Sequence, residues 1–302
     1  MKNILIVGAA GFVGKELSRA FLSEGWAVTG VDIANAHPFS GVFDAFSWIS
    51  ADTTREGKWQ KAAADSDAVV NLAGRSIFSR WTKKTRQSIY DSRVLTTRNI
   101  VAAMGTEKKQ TLLNTSAVGF YGDCGDDKVA EDRKPGRGFL ADVCVDWEKE
   151  ALAAAPKGVR TAVTRFGIVM GNGGALALMS PAFKMFAGGP LGSGRQWFSW
   201  IHIQDLQNAF RFIMDHDDLE GVFNFTAPHP LRQKDFARSL GRALKRPSFV
   251  PAPAFMVRLA MGELGASLMQ SQRAVPEKLL KAGFSFSFPD ADSALADIFG
   301  EA

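Results

Sequence analysis

The sequence predicts a doubly wound α/β fold, in which a parallel Rossmann sheet carries a smaller C-terminal α/β substrate lobe. Three observations lead to it: apolar runs alternate with helical patterns, a glycine-rich turn follows the first run, and glycines crowd residues 167–196. Alternating strand and helix patterns are typical of parallel sheets. We expect a dinucleotide-binding domain over 1–166. Residues 167–302 should form mainly the substrate lobe, with some segments returning to the first domain.

Six apolar runs in the first half have the length and composition of buried strands. They are residues 3–7, 27–32, 46–50, 68–71, 111–115 and 160–165. Residues 12–24 place apolar side chains on one helical face, and further helices are expected over 82–104 and 138–155. In the second half we expect a strand over 222–225 and a helix that opens near Asp205, with that carboxylate as its N-cap.

The first strand ends in a turn with the spacing of a dinucleotide-binding loop. Gly8 permits the tight turn, Gly11 lets the backbone approach a pyrophosphate, and Gly14 lets helix and strand pack closely. Phe12 and Val13 begin the helix, whose free N–H groups and positive dipole end favour a phosphate. Many glycine trios are plain turns, but here the flanking strand, the amphipathic helix and an acid after the second strand favour a bound dinucleotide.

That acid is Asp32, which ends the second strand 24 residues after Gly8. A carboxylate at this place accepts hydrogen bonds from the adenosine ribose and repels a 2′-phosphate. No Lys or Arg occurs between Arg19 and Arg55 to receive such a phosphate. The sequence therefore favours NAD, with NADP as the alternative; the competing interpretation of Asp32 is a plain turn residue.

A second short turn, made by Leu72, Ala73 and Gly74, follows the fourth strand. Ligands of open α/β sheets lie in the crevice beyond the carboxyl ends of the strands. We therefore expect this turn to flank the cofactor, although a tight loop explains Gly74 equally well.

Composition narrows the classes of function. Two cysteines are too few for a disulfide framework or a zinc site, so we expect no metal. Together with the lack of a recognisable secretory signal, they lead us to expect a cytoplasmic protein. No apolar run has the length of a membrane span. Net charge is +5, and residues 75–98 hold seven Lys or Arg against one acid. This stretch is a solvated helix face or a funnel for an anionic substrate, and we expect no nucleic-acid partner.

Several longer segments carry a family resemblance. They are residues 8–14, 70–74, 80–82, 91–93, 115–122, 139–148, and 188–198 running into 200–203. Together they resemble the extended short-chain dehydrogenase/reductase superfamily, and within it an epimerase-like branch, the NAD-dependent epimerase/dehydratases of uncertain reaction. The resemblance implies a Rossmann domain with a C-terminal substrate lobe and a nicotinamide cofactor. Members of this branch often carry a basic residue after the second strand, consistent with NADP, where this chain has Asp32.

The resemblance also implies a Tyr-x-x-x-Lys pair, in which the lysine lowers the pKa of the tyrosine and holds the nicotinamide ribose. Neither of the chain's two tyrosines, Tyr90 and Tyr121, has a lysine four positions later. Aligned on Glu148, the superfamily pattern puts Leu140 at the tyrosine position and Cys144 at the lysine position. The usual proton-transfer pair is therefore missing.

Five residues are candidates for the chemistry that remains. Ser116 ends the fifth strand and Tyr121 lies just beyond it, which makes them the candidate catalytic residues. Arg195 and Trp197 offer a planar cation and an aromatic wall to an anionic or sugar-like substrate, and His202 titrates near neutrality. Plain structural alternatives stand beside each: backbone hydrogen bonding for the serine, packing for the aromatic residues, and a core position for the histidine.

These residues predict a nicotinamide-dinucleotide-dependent epimerase, dehydratase or reductase that transfers a hydride on a sugar-like or nucleotide-linked substrate. Because the usual pair is missing, the alternative is a non-catalytic NAD(P)-binding redox sensor or scaffold. The expected partner is a small molecule, and the chain is a monomer or a homodimer paired through the helices near 82–104 and 138–155.

Overall fold

The computed structural model describes residues 1–39, 41–105 and 108–300. In chain order the strands are β1 (Asn3–Val7), β2 (Ala27–Asp32), β3 (Phe46–Ser50), β4 (Ala68–Asn71), β5 (Thr111–Ala117), β6 (Lys128–Val129), β7 (Arg160–Phe166), β8 (Ile168–Met170), β9 (Trp197–Phe198), β10 (Trp200–His202), β11 (Gly221–Phe225), β12 (Leu231–Arg232) and β13 (Arg273–Ala274). The helices are α1 (Phe12–Ser23), α2 (Gln60–Asp65), α3 (Lys83–Ala103), α4 (Phe139–Leu152), α5 (Gly174–Lys184), α6 (Ile203–Asp215), α7 (Gln233–Ala243), α8 (Ala254–Met261), α9 (Glu263–Ser267), α10 (Glu277–Lys281) and α11 (Ala291–Phe299).

The central sheet has seven strands in the order β11-β7-β5-β4-β1-β2-β3, and every neighbouring pair is parallel. The order reverses between β1 and β4, which is the arrangement of a doubly wound dinucleotide-binding sheet. The prediction of an α/β fold on a parallel sheet is therefore confirmed. All strand carboxyl ends lie at one edge, and β11 brings a segment of the second half of the chain into this sheet.

Helices cover both faces of the sheet, which explains why the strands are almost continuously apolar. In β1 the side chains of Ile4 and Ile6 pack with α1 and α6, through residues such as Phe21. The side chains between them, Leu5 and Val7, pack on the other face with α2 and α3. Because successive side chains of a strand point to opposite faces, burial of both sets fixes the register of the sheet.

The C-terminal lobe has a core of its own, to which α5, α7 and α11 contribute. Its large buried side chains are Met170, Leu176, Phe183, Trp200, Phe236, Leu240 and Leu295. Three two-stranded pairings, β10 with β8, β12 with β9 and β13 with β6, connect this part of the chain to the segments that leave the central sheet. They place distant segments beside the carboxyl edge of the sheet.

The helix over 203–215 begins earlier than its sequence pattern indicates. His202 is its N-cap, and Nδ1 of the ring accepts a hydrogen bond from the Gln204 amide at 3.3 Å. The prediction of Asp205 as the cap is wrong, because its carboxylate accepts instead from the amides of Ser287 and Phe288 at 2.7 and 2.9 Å. Of the helices in the described ranges, none is both long and apolar enough to cross a bilayer.

The tightest contact of the first turn gives a stability prediction. A Cβ at Gly14 would lie 2.3 Å from Gly8 O and 2.7 Å from Ala9 Cα, both of them backbone atoms that cannot move aside cheaply. We expect Gly14→Ala to lower the free energy of unfolding by about 1–3 kcal/mol, the usual range for overpacking. Urea denaturation measures it. The control is Gly105→Ala, where no described residue other than its chain neighbour Met104 lies within 4 Å of the added methyl. Equal stability of both variants would contradict the prediction.

Candidate functional site

The glycine turn after β1 has the close packing that its sequence predicts. Gly8 has φ +86°, and its amide donates to Val31 O at 2.8 Å. A Cβ at Gly8 would lie 2.9 Å from Leu72 C, so the turn rests directly on the backbone that follows β4. At Gly11, by contrast, the one atom of the described residues within 4 Å of an added Cβ, chain neighbours aside, is Gly8 O, at 3.2 Å. One side of Gly11 is therefore open, as the approach of a pyrophosphate requires.

The N-terminus of α1 opens into the same space. The helix begins after Gly11 without a side-chain cap. The amides of Phe12, Val13 and Gly14 donate to no group among the residues that the structure describes. Uncapped N–H groups and the positive end of the helix dipole form an anion site. The turn and the helix therefore fit the diphosphate of a dinucleotide.

Asp32 lies beside this turn at the end of β2. Its Oδ2 accepts from the Ala10 amide at 3.1 Å, and Oδ1 accepts from the Ala34 amide at 3.2 Å. The carboxylate therefore joins the glycine turn to the segment after β2, and its remaining lone pairs can accept further hydrogen bonds.

Buried side-chain hydrogen bonds of Asn71 hold the turn after β4 in place. Asn71 donates to Thr97 Oγ1 at 2.8 Å and to Asn114 Oδ1 at 2.7 Å, and its own Oδ1 accepts from the Ala73 amide at 3.1 Å. These bonds fix the backbone of 72–74 against Gly8. The structure thus brings the predicted cofactor residues of both turns together.

Phe12 connects the turn to the glycine-rich segment after β8. Cβ atoms at Gly171 and Gly173 would lie 2.6 Å from its ring, and one at Gly174 would lie 3.2 Å from it. The glycines allow this backbone to lie flat on the phenyl ring, so the segment borders the diphosphate site from the side of the C-terminal lobe.

Ser116 and Tyr121 both belong to a buried polar network. Ser116 donates to Glu148 Oε1 at 2.7 Å. Arg165 donates to both oxygens of Glu148, at 2.8 Å each, and to Tyr121 OH at 2.9 Å. Tyr121 in turn donates to Asn224 Oδ1 at 2.7 Å. Burial raises the pKa of Tyr121 to about 12, against the opposing effect of Arg165.

The catalytic roles of Ser116 and Tyr121 stay predictions. The buried network determines what would have to change before either hydroxyl could act on a substrate. Ser116 is 1% exposed and Tyr121 2% exposed. Each hydroxyl already has a buried partner, so it must exchange that partner before it can bond to a substrate. Their position at the end of β5 is as expected, but their side chains face the interior.

Helix α4 carries Leu140 and Cys144, which the resemblance aligns with the usual tyrosine and lysine positions. A Cβ built at Gly119, just beyond β5, would lie 3.6 Å from Leu140 Cβ. Cys144 is buried, with Sγ 3.9 Å from Ala117 O. Burial raises the pKa of this thiol to about 11, and Glu148 raises it too, while Ser116 and Arg93 act in the opposite direction. Near neutrality α4 therefore offers an apolar side chain and an uncharged thiol here.

Trp197 is the centre of a cation cluster, which also contains Arg232 and Arg273. Their guanidinium carbons lie 4.2 and 4.3 Å from the indole centroid. Asp126 accepts from Arg232 at 2.7 Å and from Trp197 Nε1 at 3.2 Å. Arg195 contributes its carbonyl oxygen, which accepts from Arg232 at 2.5 Å, while its side chain is exposed.

The cluster lies beside the segment that leaves β5. Gln272, next to Arg273, donates to Gly122 O at 2.9 Å, and the Ser271 amide donates to Asp123 Oδ1 at 3.1 Å. The pairing of β13 with β6 holds this arrangement. Positive charge from the C-terminal lobe is thereby placed at the carboxyl edge of the sheet.

His202 lies elsewhere, inside the C-terminal lobe. Its ring centroid is 4.0 Å from that of Phe288, and Nε2 lies 3.3 Å from Asp297 Oδ2. Burial lowers the pKa of the imidazole in spite of the nearby carboxylates. With Nδ1 capping α6, the ring has a structural position; the substrate role predicted for it stays a prediction.

Sequence reasoning missed the arginines that organise the site. Arg165, Arg232 and Arg273 were not candidates, because each meets its partners through pairings between distant segments. A signal existed for Arg165: a cation near the end of a strand predicted to lie within the central sheet requires a buried counter-ion. The sequence analysis also missed a cavity of about 480 Å³ between α3, α4 and α9. Its lining includes Trp81, Arg86, Phe139 and Glu263.

The sheet order, the glycine turn and the open helix N-terminus together define a dinucleotide-binding protein of the short-chain dehydrogenase/reductase class. Comparison with known proteins specifies the family. A protein-family model described as "NAD dependent epimerase/dehydratase family" matches residues 4–225. A second family model, described as "Domain of unknown function (DUF1731)", matches residues 252–298. The chain belongs to the NAD dependent epimerase/dehydratase family. The family resemblance and the prediction of a nicotinamide dinucleotide cofactor are confirmed.

Relatives cover nearly the whole chain. "Epimerase family protein SDR39U1 homolog, chloroplastic" of Arabidopsis thaliana is 36% identical over 301 residues, 98% of this chain and 86% of that protein. "Epimerase family protein YfhF" of Bacillus subtilis is 34% identical over 302 residues, 99% of this chain and 98% of that protein. A crystal structure of human epimerase family protein SDR39U1 with NADPH is 29% identical, with TM-score 0.85, 99% of this chain and 100% of that chain covered.

The buried ion pair gives a second stability prediction. The Arg165 and Glu148 side chains are 4% and 6% exposed. Arg165→Met leaves the carboxylate buried without its cation, so we expect the free energy of unfolding to fall by about 3–5 kcal/mol. The control is Arg98→Met, which breaks an ion pair with Glu150 whose arginine side chain is 56% exposed and should cost at most about 1 kcal/mol. Losses of equal size in chemical denaturation would refute the distinction.

Proposed function

We propose that this chain is an NAD-dependent epimerase, dehydratase or reductase for an anionic, sugar-like or nucleotide-linked substrate. The observation that supports this proposal is the Trp197 cation cluster, which lies at the same edge of the sheet as the open N-terminus of α1. When bound, the nicotinamide ring accepts or returns a hydride at a carbinol carbon. The chain's own residues bind and orient both ligands and keep water from the crevice between the lobes.

Asp32 supports NAD over NADP as the natural cofactor. Its charge lies beside the place of the adenosine ribose, where it repels a 2′-phosphate. Arg19, the last cation in the sequence before Arg55, already pairs with Glu16 at 2.5 Å. The human relative is described with NADPH, so we propose that the two proteins differ in cofactor preference at this position.

Replacing the charge of Asp32 tests the preference. Asp32→Asn keeps an oxygen that can accept from the Ala10 amide but removes the repulsion. We expect wild-type protein to bind NADH more tightly than NADPH, and the ratio of the two Kd values to shift towards NADPH by about tenfold in the variant. Fluorescence titration measures both. Asp44→Asn, which changes an exposed carboxylate before β3, is the control. A wild-type preference for NADPH would overturn the proposal.

The substrate class follows from the balance of charge at the Trp197 cation cluster. Two guanidinium groups and the exposed Arg195 meet one described carboxylate, Asp126, which is already shared between Arg232 and the indole. Within the described residues the side chain of Arg273 donates no hydrogen bond and forms no ion pair, although its charge contributes to the lowered pKa of Asp126. A free guanidinium over an aromatic face suits a phosphate or carboxylate on a ring-bearing ligand.

Arg273 is therefore the residue to change in a substrate-binding test. We expect Arg273→Gln to weaken binding of nucleoside-diphosphate sugars to the NAD-loaded protein by about tenfold or more, because a charge-assisted contact is lost. Calorimetry with a panel of these sugars measures it. Arg246→Gln removes another arginine that lies over an aromatic ring, Phe186 at 5.0 Å, and should leave binding unchanged. Equal affinities of wild type and Arg273→Gln would argue against this substrate site.

A second candidate function rests on a separate observation. The hydroxyls of Ser116 and Tyr121 are engaged in the buried network, and α4 carries Leu140 and Cys144 where the proton-transfer pair is expected. A protein of this kind can bind the dinucleotide as a redox sensor or scaffold without turnover. Product analysis after incubation with NAD and nucleotide sugars separates the candidates: a new epimer or dehydrated sugar supports the enzyme, and binding without product over a broad panel supports the sensor.

A further inference from the structure

A cation on α3 lies against the turn after β4. A Cβ built at Gly74 would lie 3.0 Å from Cζ and 3.0 Å from Nη2 of Arg93. Gly74 directly follows Leu72 and Ala73, the backbone on which Gly8 rests. The guanidinium is therefore next to the wall of the cofactor crevice, although its residue lies within a helix on the outside of the sheet.

The guanidinium of Arg93 is held in place but has no counter-ion. Nη1 donates to the carbonyl oxygens of Arg75 and Ile89, at 3.0 and 3.1 Å, and the group lies 5.3 Å from the ring of Trp147. Within the described ranges no carboxylate pairs with Arg93, and Nε and Nη2 donate no hydrogen bond. A half-buried cation without a counter-ion is costly. Its free donors therefore suit oxygen atoms of a ligand.

The surroundings keep this side chain from turning away. The Arg75 amide donates to Ser92 Oγ at 2.9 Å, which ties the turn to the helical residue before Arg93. The indole of Trp147 closes another side, and its Nε1 donates to Thr97 at 2.8 Å. The fixed fork of the guanidinium is thus preorganised, so little side-chain entropy is lost when a ligand binds.

The order of the strands indicates which part of the cofactor lies nearby. Asp32 at β2 marks the adenosine ribose and the turn after β1 marks the diphosphate, so the other nucleotide extends over β4 and β5. Arg93 lies between the β4 turn, where its guanidinium meets Gly74, and α4, where it lies 5.3 Å from the ring of Trp147. This is the nicotinamide side of the crevice.

We propose that Arg93 binds the nicotinamide nucleotide of the cofactor through its phosphate and ribose oxygens. It thereby supplies the fixed positive charge that Cys144 cannot supply. The inference rests on the proposed dinucleotide binding, and it makes Arg93 a cofactor-positioning residue contributed by α3 rather than by α4.

Three probes test this assignment by calorimetry: NADH, ADP-ribose and 5′-AMP, of which the last lacks the second nucleotide. We expect Arg93→Met to weaken binding of NADH and ADP-ribose by about tenfold to a hundredfold, the effect of losing charge-assisted hydrogen bonds. Binding of 5′-AMP should be unchanged. Arg98→Met, which removes an exposed arginine of the same helix, should leave all three affinities unchanged.

Each outcome has a defined meaning. Unchanged NADH affinity in Arg93→Met, or an equal loss for 5′-AMP, would overturn the role of Arg93 while dinucleotide binding still stands. Failure of the wild type to bind NADH, NADPH or ADP-ribose would instead remove the proposed function itself. If Arg93→Met does not fold by thermal denaturation, Arg93→Lys takes its place. It keeps the charge but loses the fork, and we expect a several-fold loss for NADH and ADP-ribose alone.

Discussion

The contact between the turn at 8–14 and the backbone after β4 is the constraint on which the rest of the structure depends. At Gly8 and Gly14 there is no room for a methyl group, so β1, α1 and β4 approach one another backbone to backbone. This approach is what aims the uncapped amides of α1 into the crevice. The carboxylate of Asp32 and the amide of Asn71 then tie the two turns to their strands. The diphosphate site is therefore a product of sheet packing.

A second constraint acts on the nicotinamide side, where Glu148 and Arg165 form an ion pair beneath the ends of β5 and β7. In a low dielectric such a pair is stable only when its other donors and acceptors are satisfied. Ser116 and Tyr121 satisfy them, and Asn224 extends the network to β11. The hydroxyls of Ser116 and Tyr121, which a strand end would otherwise offer to a substrate, are thus bonded within this buried network. The requirement to satisfy buried charge explains why their side chains face inward.

The parts of the fold that depend on local sequence could be predicted, and the parts that depend on distant pairings could not. Apolar runs bounded by turns predicted the six strands that residues 1–166 contribute to the central sheet, but not the short β6. The glycine spacing predicted the diphosphate site, because both signals lie within a few neighbouring residues. Arg232 and Arg273 meet Trp197 only through the pairings of β9 with β12 and of β13 with β6, which have no local signature. Capping of α6 by His202 was missed for a different reason: an imidazole accepts a hydrogen bond at a helix start as a carboxylate does, and Asp205 had a tertiary partner.

The charges that remain in the crevice limit the catalysis that it can perform. Near pH 7 neither Leu140 nor a thiol with a pKa of about 11 exchanges a proton, and guanidinium groups do not titrate in proteins. Under the two binding proposals made above, the crevice therefore presents fixed positive charge, from Arg93 on one side and from Arg273 on the other. Fixed charge stabilises an oxyanion that develops on a substrate, and it costs no reorganisation during the reaction. If the proposed hydride transfer takes place here, stabilisation of the alkoxide by a fixed charge such as that of Arg273 fits these residues better than proton transfer from Leu140 or Cys144.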